Sequence, residues 1–149
     1  MPYPDVLKVV ALSDKIRKAG NELVSLTRKN YDQLMRTKKY RKLLKLYGNT
    51  EDKNKRKALA SQLNDMQKSY NVTWDFGRIS MIPIGKKYSI DAVFALAKAE
   101  DIWRGMEKCL YGNGKTTHFS KYGKLPCIRA KQINRGIPMF VEDGKLRFL

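Results

Sequence analysis

The chain has 149 residues, of which 42% are apolar and 30% are charged, a composition typical of one globular domain and not of a disordered segment. Its formal net charge of +17 is larger than solubility requires and favours a phosphate-rich partner or an anionic membrane surface. No apolar run approaches the roughly 20 residues of a membrane span, and the opening MPYPDVLKVV carries an acid and a lysine where a signal peptide would be apolar. We therefore expect a cytoplasmic protein that does not insert into a membrane.

The first predicted helix is marked by apolar residues that step by 3 and 4 alternately, the seam of a helix that packs lengthwise against another helix. This seam consists of Val9, Leu12, Ile16, Ala19, Leu23 and Leu26. It stops at Asn30, and a different apolar stripe begins ten residues later.

The second predicted helix carries apolar and basic residues on opposite faces, each set spaced i, i+3, i+4, i+7. The apolar stripe consists of Tyr40, Leu43, Leu44 and Tyr47. The basic stripe consists of Lys38, Arg41, Lys42 and Lys45. Like charges at this spacing repel by a few tenths of a kcal/mol per pair, and no acid lies among them. We expect the basic stripe to contact a polyanion, with a merely solvated surface as the alternative, and the tyrosines to belong to the core.

Further basic residues surround this stripe. Segment 28–57 holds twelve lysines and arginines against three acids. The residues expected to widen the contact are Arg28, Lys29, Arg36 and Lys39. Contacts of this kind go to phosphates, so they supply affinity without sequence specificity.

Three more helices are predicted before residue 114. Thr50 is the expected N-cap of the first. Its apolar stripe consists of Leu59, Leu63, Met66 and Tyr70. The next helix should start at Thr73 and be kinked or ended near Pro83, and a last one should cover 89–111.

After residue 114 the pattern predicts strands separated by glycine and proline. If Asp143 and Gly144 form a two-residue turn, Val141 faces Leu146 and Met139 faces Phe148. The predicted fold class is therefore α+β, mainly helical with four to five helices over residues 5–111. A basic helical region, 1–114, would be followed by a small antiparallel β region, 115–149, in one compact unit.

The predicted β region contains a second basic set, Arg129, Lys131 and Arg135, in a segment, 115–149, with eight bases and two acids. Alternation along a strand would place Arg129 and Lys131 on one face. A basic sheet face beside a basic helix would form a cradle for folded RNA.

The sequence offers no catalytic constellation. Reading Gly114 to Thr116 as the end of a phosphate-binding loop requires glycine at position 109, which is Cys109, and the preceding segment is helical. Glu100 and Arg104 are spaced as a salt-bridged pair on a helix surface, and Trp103 is expected in the core. We therefore expect no enzyme and no catalytic residue.

Metal and cofactor sites are also not expected. Cys109 and Cys127 do not form a C-x-x-C pair, and with His118 as the single histidine they are too few for a zinc site built from Cys and His. Both thiols are expected to be small buried side chains, and His118 an ordinary hydrogen-bonded residue.

Four long stretches carry a family resemblance: NELVSLTRKNYDQLMRTKKYRKLL, YNVTWDFGRISM, FALAKAEDIWRGMEKCLYGNGK and FSKYGKLPCIRAKQINRGI. They resemble the N-terminal recognition and wedge portion of TnpB-type transposon nucleases and compact type V CRISPR effectors. In that family this portion grips the guide RNA scaffold and the guide–target duplex, while a following RuvC domain cuts DNA. This chain lacks the RuvC acids and the opening wedge strand.

The resemblance implies a protein that binds but does not cleave, with a structured RNA such as a guide RNA scaffold, or an RNA-guided nuclease complex, as its partner. It would inhibit such a complex by mimicry, as anti-CRISPR proteins do. The alternatives are a subunit of a split RNA-guided effector and a general structural RNA-binding protein, with binding to a membrane surface as a weaker one.

Overall fold

The structure, a computed structural model, describes residues 3–112, 114–115, 117–119, 121, 128–129, 139–142 and 145–148. Within these residues the chain forms five helices and one pair of strands. The elements are α1 (Tyr3–Arg36), α2 (Lys38–Asn49), α3 (Lys53–Ser69), α4 (Trp74–Lys87), α5 (Ala92–Tyr111), β1 (Met139–Glu142) and β2 (Lys145–Phe148). Among the helices so described, none is both long and apolar enough to cross a membrane.

The helices pack into two apolar clusters that share α1 and α5. The first cluster joins the first two thirds of α1 to α4 and most of α5, with Leu23, Met81 and Phe94 among its buried side chains. The second joins the end of α1 to α2, α3 and the last turns of α5, with Tyr40 and Met106 at its centre. Because α1 and α5 contribute to both clusters, the described helices form one continuous bundle.

The α+β fold class predicted from the sequence is wrong, because the packed part of the described chain is all-helical. Both clusters are built from helices and the short connections between them. Among the described residues, the strands β1 and β2 pair only with each other, with Met139 opposite Phe148 and Val141 opposite Leu146. Two strands of four residues do not make a β layer, since independent stability takes three or more strands with a packed face.

A further strand was expected around residue 128, and of that stretch the structure describes only Ile128 and Arg129. Neither of these two residues belongs to a strand, and Ile128 packs against the first cluster of the helical bundle. A short apolar run with alternating charges fits a strand and a segment lying on a helix surface equally well. The predicted boundary near residue 114 stays a prediction, because much of 115–149 lies outside the described residues.

Helix boundaries differ from the predicted ones where side chains cap the backbone. Asp52 caps α3, because its carboxylate accepts from the Asn54 backbone N–H at 2.9 Å, whereas Thr50 donates back to the Leu46 carbonyl at 2.6 Å and ends α2. The predicted N-cap Thr50 is therefore wrong by two residues. Asp91 caps α5 in the same way, so that α5 begins at Ala92 and not at Ser89. A carboxylate also suits the positive end of a helix dipole.

Two helices run further than the apolar pattern predicts. α1 continues past Asn30 to Arg36 and buries Leu34, while α4 continues through Pro83 to Lys87. In the predicted seam of α1, Ile16, Ala19 and Leu23 are buried, but Leu26 is 41% exposed. In a straight helix, the positions of a strict 3.5-residue repeat rotate around the axis by about 20° per heptad. The buried face of α1 therefore no longer includes Leu26 and instead includes Val24 and Leu34.

Candidate nucleic-acid interface

The inner face of α2 is fixed by a buried polar network. Tyr40 is fully buried, and its hydroxyl accepts from Nε2 of Gln67 on α3 at 3.0 Å. The amide oxygen of Gln67 accepts in turn from the Tyr111 hydroxyl on α5 at 2.7 Å. Leu43 is buried beside this network, and Leu44 and Tyr47 are partly buried against the second cluster. The prediction that the apolar stripe of α2 faces the core is confirmed.

The outer face of α2 is a bare row of cations, which we call the basic face. Its members are Lys38, Lys39, Arg41, Lys42 and Lys45, all of them exposed. Across the part of the chain that the structure describes, none of them has a carboxylate within 4 Å. The first and last turns of α2 contain no acid either. The basic face therefore presents five uncompensated charges to solvent on a helix that its inner face holds in place.

Ion pairs do form elsewhere in the bundle, which makes their absence from the basic face informative. Asp14 pairs with Arg17 at 2.9 Å and with Lys18 at 3.1 Å on α1. Glu22 on α1 accepts from both Lys87 and the Tyr88 hydroxyl at 2.9 Å. The hydrogen bonds that Glu22 accepts from Lys87 and Tyr88 lower the pKa of its carboxyl. Some cations on the other helices are thus compensated by acids, whereas, within the described residues, none of the five on α2 is.

The start of α3 adds further exposed cations, which the residues proposed from the sequence omit. Lys53, Lys55 and Lys57 are exposed in its first two turns, which follow the end of α2 after a short connection. No acid lies in the first turn, so these cations sit at the positive end of a helix dipole, where they are destabilising. The charge run was visible in the sequence.

A cavity lined in part by aromatic side chains adjoins the inner side of α2. Arg56 on α3 stacks over the ring of Tyr47 on α2, with 4.6 Å from its Cζ to the ring centre. The two side chains and Tyr111, which is 61% exposed, line a cavity of about 390 Å³ between α2, α3 and α5. Exposed aromatic rings and a guanidinium plane next to a cationic surface are the groups on which unpaired bases stack.

Three other predicted site residues lie on α1. Arg36 and Lys29 are exposed, and neither has an ion-pair partner among the described residues. Arg28, in contrast, donates to the Thr117 carbonyl and stacks over Phe119 at 4.5 Å from the ring centre. Arg28 therefore holds residues 117–119 against α1, and part of its guanidinium is occupied by these contacts.

The structure does not bring Arg129 to the basic face. Its guanidinium contacts Asp101 at 2.9 Å and Glu100 at 3.2 Å, and it donates to the Ala97 carbonyl at 3.2 Å. These partners lie on the part of α5 that belongs to the first cluster, whereas α2 belongs to the second. Arg129 therefore lies against α5 and not beside α2, while the predicted strand face with Lys131, and Arg135, lie outside the described residues.

The remaining sequence candidates have structural explanations. Gly114 and Gly112 donate their backbone N–H groups to the Lys108 carbonyl at 3.0 Å, which makes CLYGNGKTT a helix end and not a phosphate loop. Glu100 and Arg104 form the predicted ion pair at 3.3 Å. Trp103 is partly buried against the second cluster, as predicted.

The structure describes Cys109 and His118, two of the three residues for which a thiol or imidazole role was considered. Cys109 is half-buried, and burial raises the pKa of its thiol, which disfavours the nucleophilic thiolate. His118 is exposed, and Cys127 lies outside the described residues. Within the described ranges, no three His, Cys, Asp or Glu side chains come together as a metal site would require.

No family model matches this chain, and comparisons with curated proteins and with solved structures give no match either.

Proposed function

We propose that this protein binds structured RNA through the basic face of α2 and the adjoining start of α3, without catalysing a reaction on it. The observation that carries the proposal is the set of five exposed cations on α2 with no carboxylate within 4 Å in the described residues. Such a row is destabilising for the helix by a few tenths of a kcal/mol per like-charged pair. A polyanion removes this repulsion and releases its counterions on binding.

RNA is favoured over duplex DNA by the cavity that adjoins the inner side of α2. Phosphate contacts from a lysine row are the same for either nucleic acid. The cavity with Tyr47, Tyr111 and Arg56 adds groups suited to an unpaired base, and such bases are exposed in RNA loops and bulges. An RNA hairpin whose stem lies along α2 and whose loop base enters the cavity uses both features.

The cellular partner that we propose is a guide RNA scaffold or the RNA-guided nuclease complex that carries it. This finer proposal rests on the resemblance of four sequence stretches to the recognition portion of TnpB-type and type V proteins. A chain that occupies such an RNA without a nuclease domain would inhibit the complex by mimicry.

The proposed function is tested by recovering the protein from cells and sequencing the RNA that copurifies, with identification of bound proteins. Enrichment of one structured RNA, with or without a nuclease partner, supports the proposal. Recovery of mixed RNA in proportion to its abundance would indicate a general RNA-binding protein, and recovery of no nucleic acid would contradict the proposal. The same preparation should leave RNA and DNA intact when magnesium, manganese or zinc is added.

The base contact is tested separately with the Tyr111→Leu variant. Stacking is worth about 1–3 kcal/mol per base, so this variant should bind a looped RNA hairpin roughly 5- to 100-fold more weakly. Binding to a fully paired RNA duplex, which offers no unpaired base, should change little. The matched control is Tyr111→Phe, which keeps the ring and should retain most of the affinity. If the affinity for hairpin and for duplex fell equally, the loss would not come from an unpaired base, and the cavity would lie outside the interface.

A further inference from the structure

A second cavity lies on the other side of α5, away from the basic face. It measures about 420 Å³ and is bounded by α1, α5 and the segment that follows α5. Its floor is apolar, because Val24 and Ile102, which are both buried, line it. Gly105 on α5 leaves this floor open, since it has no side chain to occupy the space.

The polar part of this cavity is cationic. Its polar lining residues are Lys98, Lys108, Lys115, His118, Thr117 and Asp101. Asp101 is the one carboxylate among them, and it pairs with Arg129 at 2.9 Å. Three lysines thus surround a cavity whose single acid already has a cationic partner.

Lys98 is held in the cavity wall by its packing. Its aliphatic stem crosses α1 at Gly20, where a Cβ atom would overlap the Lys98 Cε. Burial lowers the pKa of Lys98, and the charge of Asp101 opposes this only in part. Within the described ranges its ammonium makes no hydrogen bond and no ion pair within 4 Å. A partly desolvated cation without a close anion favours an anionic ligand.

The wall formed by the segment after α5 is anchored by two contacts. Arg28 holds residues 117–119 through the Thr117 carbonyl and the Phe119 ring. The Gly114 N–H ties the start of the same segment to the Lys108 carbonyl at 3.0 Å. Preformed cavities of about 300–1,000 Å³ with an apolar floor and a few convergent polar groups are typical ligand sites.

We propose that this cavity is a separate site for a nucleoside phosphate, with the phosphate at Lys98, Lys108 and Lys115 and the base over Val24 and Ile102. The ligand chemistry is the same for a free nucleotide and for the phosphorylated end of an RNA chain. The proposal does not depend on the basic face, because none of the lining residues belongs to α2 or α3.

The site is tested by calorimetric titration of the full chain with AMP and ATP, and with a short RNA carrying either a 5′-phosphate or a 5′-hydroxyl. Saturable binding of AMP or ATP identifies a free nucleotide as the ligand. A preference for the 5′-phosphorylated RNA identifies the end of an RNA chain as the ligand. Absence of both would overturn the proposal.

The Lys98→Met variant locates the binding. Methionine keeps the stem over Gly20 and removes the charge, so the bundle should stay folded by circular dichroism while nucleotide affinity, or the preference for a 5′-phosphate, falls at least tenfold. The matched control is Lys86→Met on α4, an exposed lysine outside both proposed sites, which should leave nucleotide affinity unchanged. In a ¹⁵N NMR titration the amide signals of Gly105 and Gly114 should move. Unchanged affinity in Lys98→Met, or shifts confined to α2, would overturn the assignment.

Discussion

Tyr40 shows how the protein keeps a basic helix in place. Its ring fills the centre of the second cluster, and its hydroxyl, Gln67 and Tyr111 form a chain of hydrogen bonds across three helices. A buried amide that lost this partner would keep an unsatisfied donor, which costs about 1–3 kcal/mol.

The Tyr40→Phe variant should therefore lose about 1–2 kcal/mol of unfolding free energy, measured by urea denaturation. RNA affinity of the folded variant should be unchanged, because the hydroxyl points inward. The comparison variant is Tyr111→Phe, at the exposed end of the same network, where water can replace the lost donor and the cost should be smaller. Equal stability of Tyr40→Phe and the wild type would contradict the hydrogen-bonded network.

Glu22 gives a pH-dependent contact between α1 and the end of α4. Because Lys87 and Tyr88 lower its pKa in the folded state below the ordinary 4.5, its contribution is present above about pH 5 and is lost as pH falls through the lowered folded pKa. The difference in melting temperature between wild type and Glu22→Gln should therefore be measurable at pH 7 and shrink as the pH falls below the lowered folded pKa. A difference that stays constant or grows on acidification would refute this sign.

At the scale of an element, α2 combines a stabilising inner face with a destabilising outer face. Leu43 is only 8% exposed, whereas all five cations of the basic face are exposed. Stability and binding should therefore respond to different substitutions on the same helix.

The variant with Lys38→Gln, Arg41→Gln, Lys42→Gln and Lys45→Gln should be as stable as the wild type, or more stable by a few tenths of a kcal/mol per relieved pair. The Leu43→Ala variant should lose about 2–4 kcal/mol, since it leaves a cavity under Tyr40. Both values come from chemical denaturation without RNA. If the four glutamines destabilised the helix strongly, the basic face would have a structural role that the contacts do not show.

The helices were predictable because their apolar residues repeat with the helical period, as in α2 and α3. The ends of the helices were harder to predict. Thr50 and Asp52 are both good N-cap residues in isolation, and only the geometry of the turn shows that Asp52 is the N-cap. The basic face could be predicted from residue spacing alone. The contacts of Arg28 and Arg129 could not, because their partners are distant in sequence. These partners are Thr117, Phe119, Glu100 and Asp101.

At the scale of the whole molecule, acids compensate part of the positive charge. Arg17, Lys87 and Arg104, on α1, α4 and α5, pair with acids, whereas within the described residues none of the cations of the basic face does. With a net charge of +17, this dense row of unpaired cations should attract a polyanion to the side of the bundle that carries α2.

The salt dependence of RNA binding tests this account most directly. Affinity for a fluorescent RNA hairpin should be measured by anisotropy across a salt series for the wild type, the four-glutamine α2 variant and a control. The control removes the same charge from exposed lysines elsewhere, through Lys8→Gln, Lys15→Gln, Lys68→Gln and Lys86→Gln.

For the wild type, about four to five phosphate contacts predict a slope of log K against log salt near −3 to −4. The four-glutamine variant should flatten the slope by about 3 and bind far more weakly at low salt, while the control keeps a slope close to that of the wild type. The contradicting result is a four-glutamine variant with the affinity and slope of the wild type, which would make the basic face a solvated surface and place RNA binding elsewhere on the protein.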